Sequence, residues 1–228
     1  MEILDNKKIN ILCFGDSNTW GCIGRWQESE LPPYRYDADH RWPDVMQKEL
    51  GDAYQVVTDA LCGRTTIYTH RDEGPMYSAE PYLLPCMRSH SPLDLLIIML
   101  GTNDIYNYPG LTPDNIGDGI TKLVEMAQTS QWGRDFKAPR ILIMAPIEVK
   151  QAAPNGRQLV FEKFRREEGV SLSKLFPAVY KKIAEEKGCG FLNAAEFGYP
   201  CDGDGIHMDE VGQVALGKAV AKWVKENL

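Results

Sequence analysis

Three short strings set reactive side chains among small, turn-forming residues: GDSN at 15–18, GTND at 101–104 and DGIH at 204–207. A fourth, GRTT at 63–66, offers a glycine main chain beside an arginine. Together they hold a hydroxyl (Ser17), an imidazole (His207), a carboxylate (Asp204) and two possible oxyanion donors, Gly63 and Asn103. A serine hydroxyl is a poor nucleophile until a neighbouring base takes its proton. The base in turn needs a third group to fix its tautomer and stabilise its cation. Asp204 and His207 are three residues apart and can bond locally. Each string also has an ordinary structural reading. Ser17 after a strand can be a helix N-cap, Asn103 and Asp104 can be turn residues, Gly63 can supply a positive φ, and Asp204 with His207 can be a solvated turn. Joint occurrence decides between these readings, and that depends on the elements that carry the strings.

Residues 8–14, 54–61, 94–100, 140–146 and 189–195 read as five strands. Three are near-continuous apolar runs, as in a parallel sheet covered on both faces. Helical patterns fill 42–50, 113–129 (opened by Thr112-Pro113), 171–187 (from Ser171 to Gly188) and 209–226. The alternation predicts one α/β domain over 1–228, a three-layer α/β/α sandwich on a mainly five-stranded parallel sheet. Ligands in such sheets bind at the carboxyl ends of the strands, and all four strings follow a strand or precede the last helix. Two insertions stand out, at about 22–41 and 147–170. Long loops of this kind serve as lids, binding loops or subunit contacts.

These four strings, in this order and context, resemble the four sequence blocks of the SGNH (GDSL-type) hydrolases over nearly the whole chain. The fuller strings ILCFGDSNTWG, GRTT, LDLLIIMLGTND and DGIH are most similar to the arylesterase/acyltransferase, perhydrolase-like branch. One departure is Asn18, where the family's name implies Leu; it is discounted as not touching the nucleophile. The resemblance implies a flavodoxin-like SGNH fold and a two-step serine esterase acting on short-acyl aryl or alkyl esters. Ser17 would be the nucleophile, His207 the general base and Asp204 its orienting carboxylate. The Ser17 N–H, the Gly63 N–H and the Asn103 amide would form the oxyanion hole. Asp16, Trp20, Ile23 and Arg64 are expected on the substrate side, Asp16 and Arg64 by bracing loops. Trp20, Ile23, Trp26, Tyr34 and Tyr36 offer either an apolar wall or a subunit contact. Water as acyl acceptor makes an esterase; an alcohol or peroxide makes an acyltransferase or perhydrolase. A homo-oligomer is expected by the same likeness, and no cofactor is implied.

Composition narrows the alternatives. Of 228 residues, 43% are hydrophobic and 25% charged, which excludes disorder, collagen and coiled coil as the main class. A formal charge of −7 disfavours nucleic acid as a partner. The longest apolar run, Leu95 to Leu100, is too short to span a bilayer. MEILDNKKIN does not read as a secretory signal, so a cytoplasmic protein is expected. The six cysteines form no CxxC pair and no disulfide framework is expected. Cys86 to His90 has metal-like spacing without a second ligand pair, and His40 and His70 lack ligand spacing, so no metal is expected. A carbohydrate O-acetyl esterase is the competing enzyme reading. A non-catalytic α/β binding protein is the competing reading from another class.

Overall fold

The computed structural model describes residues 8–25, 34–107 and 110–228. In chain order the elements are β1 (Ile9–Gly15), α1 (Ser17–Trp20), α2 (Trp42–Leu50), β2 (Tyr54–Ala60), α3 (Glu80–Ser89), β3 (Leu95–Met99), α4 (Thr102–Asn107), α5 (Pro113–Gln128), β4 (Arg140–Ala145), α6 (Gln158–Lys163), α7 (Arg166–Ser173), α8 (Phe176–Lys187), β5 (Gly190–Asn193) and α9 (Glu210–Asn227). The strands form one parallel sheet in the order β2-β1-β3-β4-β5.

Side chains alternate across a strand, so an unbroken apolar run feeds two cores. From β1 and β3, Leu12, Phe14, Leu96 and Ile98 point into a core with Leu83, Met87, Ile120, Leu123, Phe176 and Tyr180 of α3, α5 and α8. Their neighbours Ile11, Cys13, Leu95, Ile97 and Met99 point the other way, against Trp42 and Met46 of α2 and Leu216, Val220 and Val224 of α9. The predicted three-layer sandwich is the observed fold.

Caps fix several boundaries. Thr112 and Asn115 form a capping box on α5, with Pro113 in the first turn. Asp209 Oδ1 accepts from Gly212 N–H at 2.7 Å to start α9. Elsewhere the structure corrects the expectation. The helix read at 171–187 is two helices, α7 and α8. Pro177 lies in the first turn of α8, where its missing N–H costs nothing, and so marks a start rather than an interior. The insertion expected at 147–170 contains α6 and the beginning of α7. The strand read to 195 ends at Asn193, whose side chain accepts from Ala195 N–H at 3.2 Å and turns the chain into a short 3₁₀ segment. Among the described residues no helix is long and apolar enough to cross a membrane.

Candidate active site

The first turn after β1 is set by Asp16, not Ser17. Asp16 is extended and its Oδ1 accepts from Asn18 N–H at 2.9 Å, so Asp16 is the cap and Ser17 the first helical residue. The capping reading of Ser17 is thereby displaced, and its hydroxyl serves elsewhere. His207 Nε2 lies 3.0 Å from Ser17 Oγ, and His207 Nδ1 lies 2.8 Å from Asp204 Oδ2. With Nδ1 protonated and donating to Asp204, Nε2 is the acceptor for the Ser17 hydroxyl. Residues 190 positions apart are thus joined in one line.

Asp204 is fully buried. Its Oδ1 accepts from Ile206 N–H (3.2 Å), His207 N–H (3.1 Å) and Cys201 Sγ (3.3 Å), and its Oδ2 accepts from Arg25 N–H (3.1 Å). Burial opposes ionisation, but the His207 charge and the hydrogen bonds from His207 and Ile206 outweigh it and hold the carboxyl well below the usual range. Burial likewise disfavours the His207 imidazolium, yet Asp204 beside it raises the imidazole above its ordinary 6.5.

The neighbouring loops carry donors. Gly63 has φ +86°, a left-handed conformation that favours glycine, and a Cβ there would sit 3.1 Å from the Tyr77 ring and 3.4 Å from His70 Nε2. The buried Asn103 amide donates to Arg64 O at 3.0 Å and leans toward Asp16 Oδ2 at 3.5 Å. That places it between the 63–66 loop and the Asp16-Ser17 turn. Asp16 is itself almost fully buried, and that burial pushes its carboxyl up to about 6.

The other expected residues take distinct places. Arg64 is buried, with Nη1 donating to Gly15 O (3.1 Å) and Asp59 O (2.9 Å), Nη2 donating to Asp59 Oδ1 (2.7 Å), and its guanidinium 4.2 Å over Phe14. Those are the contacts of a brace between the ends of β1 and β2. Trp20 is half-buried under Arg35, whose Nε donates to Trp20 O at 2.7 Å. Ile23 N–H donates to Tyr34 O, and Tyr36 N–H to Gly21 O, so the segments around 22 and 35 form an antiparallel arm beside α1. Tyr34 is 60% exposed and stacked with Arg25. Trp26 lies outside the described residues.

Sequence reasoning missed several residues that hold this geometry. Asn18 Nδ2 donates to Ile206 O (3.1 Å) and its Oδ1 accepts from Met208 N–H (2.8 Å), clamping the turn of Ser17 to the loop of His207. Gln213, fully buried on α9, donates to Asn18 O at 2.9 Å. Gly24 runs over Asp204 so closely that a Cβ would lie 1.9 Å from Cys201 Sγ and 3.2 Å from both Asp204 oxygens. Asp104 accepts from Thr66 N–H and Oγ1, the latter at 2.6 Å, tying the GRTT loop to α4; its burial pushes it up to about 7. Asn18 was the one legible signal, as a departure from the resembled pattern. Asn18→Leu removes both partners of the buried clamp, and each orphaned group costs about 1–3 kcal/mol. Urea unfolding is therefore expected to show a loss of at least about 1 kcal/mol, and unchanged stability would contradict the clamp.

The chain matches the GDSL-like lipase/acylhydrolase family over residues 13–215. Among solved structures, the native Mycobacterium smegmatis aryl esterase is 33% identical with a TM-score of 0.87, covering 96% of this chain and 100% of that one. Est24, a carbohydrate acetylesterase from Sinorhizobium meliloti, is 34% identical with a TM-score of 0.87, covering 97% and 100%. Another carbohydrate acetylesterase family member from that organism is 29% identical with a TM-score of 0.82, covering 96% and 98%. A comparison with curated proteins gives no match.

Proposed function

The chain belongs to the GDSL-like lipase/acylhydrolase family and is a carboxylic ester hydrolase; from that premise we propose that it cleaves short-acyl aryl or alkyl esters through a Ser17 acyl-enzyme. The observation that carries the reading is the unbroken line from Asp204 Oδ2 through His207 to Ser17 Oγ, at 2.8 and 3.0 Å. Ser17 Oγ attacks the acyl carbonyl as its proton passes to His207 Nε2, and Asp204 stabilises the imidazolium. The tetrahedral oxyanion accepts from the Ser17 and Gly63 N–H groups and the Asn103 amide. The intermediate then collapses and His207 returns the proton to the leaving alcohol. In the second half-reaction His207 deprotonates water, which releases the acid. An alcohol or peroxide held in place of that water would receive the acyl group instead.

The restriction to short acyl groups rests on the sequence, which carries no long apolar lid segment. The 22–25 and 34–36 arm lies beside α1, and His70 with Tyr77, ring centroids 5.2 Å apart, stands by Gly63. A second reading, esters of acetylated carbohydrate, is favoured by the 34% identity to a carbohydrate acetylesterase.

Assays on p-nitrophenyl esters from acetate to octanoate, beside acetylated xylan, test both. We expect kcat/KM to fall with acyl length and to show an acidic limb centred above 6.5, the ordinary imidazole value. The sign follows from the raised His207 pKa: its protonated form persists to higher pH and cannot accept the Ser17 proton. A preference for octanoate would overturn the short-acyl claim. Acetate release from xylan with no p-nitrophenyl acetate turnover would establish the carbohydrate reading instead.

A further inference from the structure

Away from Ser17, β2 and the end of α3 bring three metal-ligating side chains together. Asp59, Cys86 and His90 each offer one ligand atom, and these atoms lie within 4.8 Å of one another, the one such trio among the described residues. Cys86 and His90 are four apart on a helical turn, so they share a face, and His90 N–H donates to Cys86 O at 3.2 Å. Asp59 arrives from a different element, which is why spacing along the chain shows only half a site. The Cys86 thiol is buried, while Asp59 and His90 are half-buried and give the cluster an opening to solvent. Arg64 Nη2 donates to Asp59 Oδ1 at 2.7 Å, which positions the carboxylate.

We propose that Asp59, Cys86 and His90 form a site for a divalent transition-metal ion of the zinc type, with water as the fourth ligand. The donor set is mixed, one sulfur, one imidazole nitrogen and one carboxylate oxygen, which suits a borderline-soft ion rather than calcium or magnesium. Bonds of about 2.3 Å to sulfur and about 2.0–2.2 Å to nitrogen and oxygen put tetrahedral donors roughly 3.5 Å apart. Side-chain rotation therefore has to close the trio by only about 1 Å. Thiolate, not thiol, is the ligating form of cysteine. Binding breaks the S–H bond, sends the proton to solvent, and turns the sulfur electron pair to the metal.

Cobalt(II) titration of the full chain tests the site without reference to ester hydrolysis. We expect one equivalent to bind, with a near-ultraviolet thiolate-to-cobalt absorption that zinc(II) abolishes by displacement. Cys86→Ser is expected to remove that absorption. His90→Ala, at a half-buried position where folding is expected to survive, and Asp59→Asn are expected to weaken binding by at least about tenfold, the lower bound for losing even an outer-shell partner. Absence of the absorption in the wild type, or its survival in Cys86→Ser, would overturn the proposal. So would unchanged affinity in folded His90→Ala.

Discussion

Ser17→Ala is expected to lower kcat on p-nitrophenyl acetate by on the order of 10⁴–10⁶-fold while leaving the fold intact. The size of the effect follows from what the hydroxyl does. Without Oγ there is no acyl-enzyme, and His207 faces a methyl group in place of the hydroxyl 3.0 Å away. The remaining donors still polarise a bound carbonyl, which leaves the modest residual catalysis that oxyanion holes provide when the nucleophile is gone. The fold is expected to survive because Asp16, not Ser17, caps the turn, and because the Asn18 clamp to residues 206 and 208 does not use the Ser17 side chain. Circular dichroism with steady-state kinetics separates loss of chemistry from loss of structure. Turnover within tenfold of wild type by folded Ser17→Ala would break the nucleophile assignment.

Asn103→Ala is expected to lower kcat by about 10²–10³-fold, the usual cost of one oxyanion donor at about 2.7–4 kcal/mol. The buried amide is anchored by Arg64 O at 3.0 Å and reaches toward the turn that carries Ser17. An amide donates without adding charge, which suits a site where buried Asp16 is already pushed up to about 6. The loss should fall on kcat rather than KM, because the oxyanion exists only beyond the ground state. Asn103→Asp should do no better, since it puts a carboxylate where negative charge develops. Near-wild-type kcat in Asn103→Ala would remove this residue from the oxyanion hole.

The sheet and the strand ends were legible because both leave local marks. Unbroken apolar runs at 95–99 and 141–145 record burial on two faces, and small residues after β1 and β3 record the turns where ligands collect. Helix α3 escaped notice because Pro85 lies inside it and Pro81 near its start, so its pattern reads as a break. Gln213 and Gly24 escaped for a different reason, and Asn18 stood out only as a departure from the resembled pattern. Their partners lie about 180 to 195 positions away in sequence, and no periodicity encodes a hydrogen bond from residue 18 to residue 208 or a main chain pressed onto Asp204. The candidate groups Ser17, Asn103, Asp204 and His207 were thus readable from their types, while the parts that hold them in line appear only in three dimensions.

Cys62 offers a competing nucleophile beside Gly63. A hydrogen bond from Cys22 holds its thiol below the ordinary cysteine value despite burial, and the His207 charge adds to this. The most direct test is therefore to locate the acyl group itself. Wild-type protein mixed with p-nitrophenyl acetate, quenched in acid during the first turnover and mapped by peptide mass spectrometry should carry one acetyl group on Ser17. Acetylation of Cys62 or another residue in its place, or turnover with no acetylated intermediate, would contradict the account.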